Sequence, residues 1–177
     1  MTTIKQEVLI QSIADAFQFD LAPTSYDAIV CDFTFPTTPE SSKVFSLEFY
    51  KRVCSALRPG GVMAVNGVSP SNTPEAFGCL VASLSAAGLK TLPIHVPIPS
   101  FREHGYGVWG FVYASEKPLT AGSLLALPKE RFEHLDPVSL RRWAHFTRAE
   151  RAAWKAAPVN RVDEPVLQRL LLNPGNS

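Results

Sequence analysis

Sulfur is scarce in this chain. It has two methionines and three cysteines among 177 residues, and Cys31, Cys54 and Cys79 are odd in number, widely spaced and set in apolar surroundings. That pattern argues against a disulfide framework or a metal site and predicts three buried, free thiols in a reducing compartment. Long hydrophobic runs are missing as well. No stretch approaches the roughly 20 apolar residues of a membrane span, and the amino terminus, which includes Lys5 and Glu7, never reaches a signal-peptide core. A cytoplasmic location is the expectation. Charge of one sign is lacking too: 17 basic and 16 acidic residues leave a net charge of +1, so no global field draws the chain to nucleic acid or to an anionic membrane. What remains, 46% hydrophobic and 19% charged residues, suits one globular domain with a proper core and argues against a second full domain.

Along the chain, strand and helix signals alternate. Residues 8–13 are apolar-rich and read equally as a strand or as the first turns of a helix running to Phe19. Ala28 to Cys31, bounded by Tyr26-Asp27 and Asp32, reads as a short parallel strand covered on both faces. From Ser46 to Leu57 the apolar positions recur at spacings of three and four, with Pro59-Gly60-Gly61 behind, which predicts an amphipathic helix. Val62 to Val65 is a second strand and Asn66 to Asn72 a turn-rich loop. Thr73 and Pro74 then cap and open a helix that stops at Gly88. Lys90 to Val96 is a third strand containing Pro93, Pro97 to Phe101 reads as loop because its prolines lack amide donors, and Val108 to Ser115 is a fourth strand. The cadence predicts an α/β fold: a partial doubly wound, mainly parallel sheet with an antiparallel last strand over residues 1–116.

From residue 117 to 177 the pattern changes to short helices without strands, an appendage packed on the sheet domain. Asp136-Pro137 opens one helix, Thr147 with Glu150 makes a capping box for another, and Asp163-Glu164-Pro165 precedes a third, ahead of the polar end Asn173 to Ser177. Trp143, Phe146 and Trp154 are the expected docking contacts.

Asp32 falls at the carboxyl end of the first clear strand. In open α/β sheets ligands bind outside those ends, so this acid is a functional candidate on geometric grounds, with a turn cap as its alternative role.

Several segments together resemble one family. Asp15-Ala16-Phe17, the Tyr26-Asp27 strand ending in Asp32, the loop from Asp32 to Pro36 and the Phe49-Tyr50 helix follow the order and spacing of the polyamine aminopropyltransferases, the spermidine synthase family. Arg58-Pro59-Gly60-Gly61-Val62, Ser69-Pro70, Pro99-Ser100-Phe101 and Trp109-Gly110-Phe111 add further matches. Asn160 to Leu167 looks like the terminal segment of bacterial members related to membrane-anchored spermidine synthases. The resemblance runs from residue 14 to 168 and implies the carboxyl-terminal part of a methyltransferase-like Rossmann domain.

It also implies a chemistry: transfer of an aminopropyl group from decarboxylated S-adenosylmethionine, a co-substrate and no permanently bound cofactor, to putrescine or another amine. By position Asp15 and Ala16 match the nucleoside contacts and Asp32 the first acid of a D-x-x-D pair at the amine site, with Phe35, Asn66 and Trp109 as substrate contacts. Phe35 stands where the second acid belongs. An aromatic face can attract a cation but cannot take its proton, and Glu40, His95, Glu103 and His104 are substitutes by residue type alone. The family's glycine-rich nucleotide loop lies upstream of the Asp15 segment. Here Gly105, Gly107 and Gly110 follow a loop and lead into a strand, the wrong context for such a cradle. Three readings follow: an aminopropyltransferase; a non-catalytic subunit completed by self-association or by a companion chain at an open sheet edge; or a degenerate relative without a ligand.

Overall fold

The computed structural model describes residues 13–120, 122 and 137–172. Expectations for residues 8–12, Asp136 and Asn173 to Ser177 lie outside them. Four strands, β1 (Tyr26–Cys31), β2 (Leu57–Asn66), β3 (Lys90–Val96) and β4 (Trp109–Ser115), form one sheet in the order β1-β2-β4-β3. β1 and β2 pair parallel, while β4 runs against both β2 and β3. Three strands therefore point one way and the last is reversed, as the α/β cadence predicts.

Helices α1 (Pro39–Ser42), α2 (Leu47–Ala56) and α3 (Pro74–Ala86) fill the crossovers. α2 starts where Ser46 accepts a hydrogen bond from the Phe49 amide, and it buries Leu47, Phe49, Tyr50, Val53 and Ala56. Its end differs from expectation. The Pro59-Gly60-Gly61 triplet is no simple stop: the ladder begins at Leu57, opposite Tyr26, and resumes with Ala28 opposite Val62, so the triplet bulges out of β2. Gly60 takes φ +83°, and a Cβ on Gly61 would lie 2.9 Å from the Arg58 carbonyl oxygen, which explains why glycine occupies both positions.

α3 begins after Thr73 as expected, but without the expected side-chain cap; the Thr73 hydroxyl donates to the Ser69 carbonyl at 2.9 Å instead. Pro97 to Phe101 is likewise not all loop. Pro99 opens a short helix, α4 (Pro99–Glu103), because the first turn of a helix needs no amide donor from its leading residue. Pro93 sits in β3, an outer strand of the sheet, where a missing donor is tolerated.

Met63, Val65, Val112 and Ala114 alternate along β2 and β4 into a core closed by α2 and α3. The prediction that β1 is covered on both faces fails. Ala28 is exposed and Val30 is 75% exposed, because alternate side chains of β1 project to the sheet face opposite the one on which Cys31 is buried; among the described residues β1 is an outer strand paired with β2 alone. Cys31 and Cys79 are buried and Cys54 half-buried, all as free thiols. Burial pushes the Cys31 and Cys79 thiols up to about 12, so both stay protonated near neutral pH.

Tyr50 is fully buried, and its hydroxyl has no hydrogen-bond partner among the described residues. A buried hydroxyl without a partner costs roughly 1–3 kcal/mol. Tyr50→Phe is expected to raise stability by about 1 kcal/mol, read as a higher urea midpoint with an unchanged slope. A lower midpoint would reveal a partner for the hydroxyl.

Helices α5 (Pro137–Trp143), α6 (Arg148–Ala156) and α7 (Val166–Leu172) complete the described chain. Thr147 and Glu150 form the predicted capping box of α6. Phe146 and Trp154 are buried against Phe77 of α3, with ring centroids 6.0 and 5.5 Å away, whereas Trp143 is only half-buried. Gly78 makes room for this docking, since a Cβ there would lie 3.0 Å from the Trp154 ring. Asn160, fully buried, ties the segment down: its side chain donates to the Ser42 carbonyl and accepts from the Leu167 amide, and its carbonyl accepts from Leu47 at the start of α2.

Candidate functional site

The parallel pair β1 and β2 ends at one rim of the sheet, and reversed β4 begins there. Asp32 follows β1, Asn66 closes β2 and Trp109 opens β4, so three segments distant in sequence meet at one place. The Asn66 amide nitrogen donates to Asp32 Oδ1 at 2.7 Å, and Trp109 Nε1 donates to Asn66 Oδ1 at 2.6 Å. Chemistry fixes the direction of this chain of bonds: an indole N–H only donates and a carboxylate only accepts, so the amide between them has one possible orientation. Asp32 is thereby aimed while remaining exposed, with its second oxygen unengaged among the described residues.

Trp109 is itself held on edge by Phe101 and Tyr106, at centroid distances of 4.9 and 6.2 Å. Both come from the α4 segment, and neither is among the site residues that the sequence predicts, although the aromatic pair between prolines and glycines is a signal for them. Beside the chain of bonds lies a hollow of about 140 Å³, lined by Val30, Asp32, Ala64, Val65, Asn66, Phe111 and Tyr113. Asp32 is its one carboxylate. Gly67 and Gly110 draw the β2 loop close to β4: the Gly67 amide donates to the Gly110 carbonyl and the Gly110 amide to that of Val68. A Cβ on Gly110 would strike Phe77 and the Val68 carbonyl, so close backbone approach accounts for the glycine in Trp109-Gly110-Phe111.

The other predicted residues lie apart from this network. Asp15 is exposed, and its Oδ1 accepts from the Phe17 amide at 2.8 Å, closing a turn that contains half-buried Ala16. The Arg52 guanidinium of α2 anchors that turn through the Phe17 and Phe19 carbonyls. Phe35 is 42% exposed, while Phe33 packs edge-on against Phe45 and Phe49. The four possible substitute groups are engaged elsewhere or stand outside the network: Glu40 pairs with Lys43, His95 packs on Phe146, His104 Nδ1 contacts the Ser100 carbonyl, and Glu103 closes α4. None of them hydrogen-bonds to Asp32, Asn66 or Trp109 among the described residues.

A carboxylate fixed by one oxygen and free at the other can orient an ammonium group or accept its proton, and the neighbouring aromatic faces favour a cation. Comparison with known proteins bears on the family. The spermine/spermidine synthase domain matches residues 3–122. A polyamine aminopropyltransferase of Mycobacterium tuberculosis is 39% identical over 92 residues, which is 52% of this chain and 17% of that protein. Polyamine aminopropyltransferase 1 of Streptomyces coelicolor is 30% identical over 158 residues, 88% of this chain and 28% of its own length. Among solved structures, the spermidine synthase of Thermotoga maritima aligns with a TM-score of 0.55 at 16% identity, covering 80% of this chain and 46% of that one. A spermidine synthase in complex with the transition-state analogue AdoDATO aligns at 0.60 and 17% identity, over 82% and 50%. The chain thus spans half or less of each of these proteins. With the domain match covering well over half of its residues, the chain belongs to the spermine/spermidine synthase family.

Proposed function

We propose that this chain forms the amine side of an aminopropyl-transfer site. The observation that carries the proposal is the bond chain from Trp109 through Asn66 to Asp32 at the strand ends. In this reading an amine binds with one nitrogen at Asp32, loses a proton to the carboxylate, and attacks the propyl carbon next to the sulfonium of decarboxylated S-adenosylmethionine. The carbon–nitrogen bond forms as the carbon–sulfur bond breaks, and neutral methylthioadenosine leaves. Asn66 holds the carboxylate in position and Trp109 supplies aromatic surface for the substrate, while Phe35 is assigned to the substrate by its family position alone. Asp15 and Ala16 take the nucleoside. The free thiols fit a cytoplasmic setting.

Calorimetric titration tests the nucleoside half of this reading. Methylthioadenosine is expected to bind with micromolar affinity, and Asp15→Ala to weaken it more than it weakens the amine. No heat at millimolar ligand would sink the reading.

A second reading rests on a different observation. Among the described residues β1 is an outer strand, with Val30 75% exposed, and such an edge invites another strand. Here the chain acts as one part of an assembly, completed by a second copy or by a companion polypeptide. Light scattering after size exclusion then returns a stable oligomer; a stable monomer would count against it.

A further inference from the structure

A separate trough of about 880 Å³ lies between α3, outer strand β3 and α6. Its floor is apolar, made by Val81, Pro93 and Trp154, which are largely buried, and by the more exposed Ala86 and Val159, and its charged lining among the described residues is Arg148, Arg151 and Lys155 with no carboxylate. None of the three cations enters an ion pair among the described residues. Arg151 is steadied by the Phe146 and Ala144 carbonyls, which its guanidinium reaches at 3.2 and 3.5 Å. Arg148 is the first residue of α6, where the helix dipole disfavours a positive charge. Helix stability therefore gives no reason for it.

The spacing of the charges selects the kind of ligand. From Arg148 to Lys155 the helix rises by about 10 Å, so the three cations are strung along the trough and suit a row of negative charges better than one anionic headgroup.

We propose that this trough docks an acidic amphipathic helix of a partner protein. Its apolar stripe lies on the Val81–Trp154 floor and its carboxylates lie opposite Arg148, Arg151 and Lys155, the helix-in-groove mode of recognition. The site is independent of the Asp32 rim and of any aminopropyl chemistry.

The test uses the full chain and a fluorescein-labelled synthetic helix carrying leucines on one stripe and glutamates at i, i+3 and i+7 beside it, read by anisotropy. Micromolar binding is expected, weakened about tenfold or more by the double change Arg148→Glu with Lys155→Glu and by raised salt. Ala86→Trp, which fills the floor and leaves the charges intact, is expected to weaken binding by a similar factor, with circular dichroism confirming the fold of each variant. Equal affinity for a scrambled peptide of the same composition would reduce the effect to bulk charge and overturn the proposal. Displacement by equimolar dodecanoate would assign the trough to a single-headed amphiphile, and absence of binding at millimolar peptide would remove the site.

Discussion

Asn160→Ala is expected to lower the free energy of unfolding by about 4 kcal/mol, because it strips partners from groups that have no route to water. The asparagine side chain donates to the Ser42 carbonyl at 3.0 Å and accepts from the Leu167 amide at 3.1 Å, with the Ser42 hydroxyl 3.3 Å from the same oxygen. Ser42 and Asn160 are themselves buried. Alanine leaves the Ser42 carbonyl and the Leu167 amide unpaired and opens a small polar void between α1 and α7. Native stabilities are typically about 5–15 kcal/mol, so the change removes a large share of the total. A urea titration followed by circular dichroism measures it. The backbone bonds of residue 160, to Ser83 Oγ and from the Leu47 amide, survive the substitution, so loss of the side chain alone is being read. A cost below about 1 kcal/mol would mean that solvent reaches this junction.

The second large effect concerns chemistry. Asp32→Asn is nearly isosteric and keeps a hydrogen-bonding group opposite Asn66, but it removes the negative charge and the proton acceptor. A positioned general base contributes roughly 10² to 10⁴ in rate, so methylthioadenosine release in the presence of amine is expected to fall by at least about 10²-fold. Nucleoside affinity should stay within a factor of two or so, since Asp15 and Ala16 are assigned that role. Transfer at a near-parental rate would remove Asp32 from the mechanism, and a parallel loss of nucleoside affinity would indicate a disturbed fold.

How much of this was legible in the sequence depended on the distance over which each feature is set. Ser46 opening α2 and Thr147 with Glu150 opening α6 are signals confined to four residues, and both were readable. Pro99 was readable as an interruption but not as a helix start, since the same ring that bars a strand interior suits a first helical turn. Asp32 could be placed at a strand end from its neighbours. Its bond to Asn66 could not, because the two residues are 34 positions apart and only the pairing of β1 with β2 joins them. Asn160 is the extreme case. It sat within a recognisable terminal segment, yet its partners Ser42 and Ser83 lie 118 and 77 positions away. The exposure of Val30 was hidden for a different reason: an apolar residue between apolar neighbours gives no sign of whether a second layer covers its face of the sheet.

The position of β4 has a consequence for how the chain comes together. Among the described residues this strand is last in sequence but sits between β2 and β3, and β3 has no other strand beside it. While the chain is being synthesised, Lys90 to Val96 must wait for Trp109 to Ser115, the strand that joins it to β2. Sheet closure is therefore a late, long-range event of the slow kind. The same step delivers the Trp109 indole to Asn66. An unfinished intermediate with β1 and β2 already paired would hold an Asp32 that nothing aims, so competence to bind an amine should develop with the slowest folding phase.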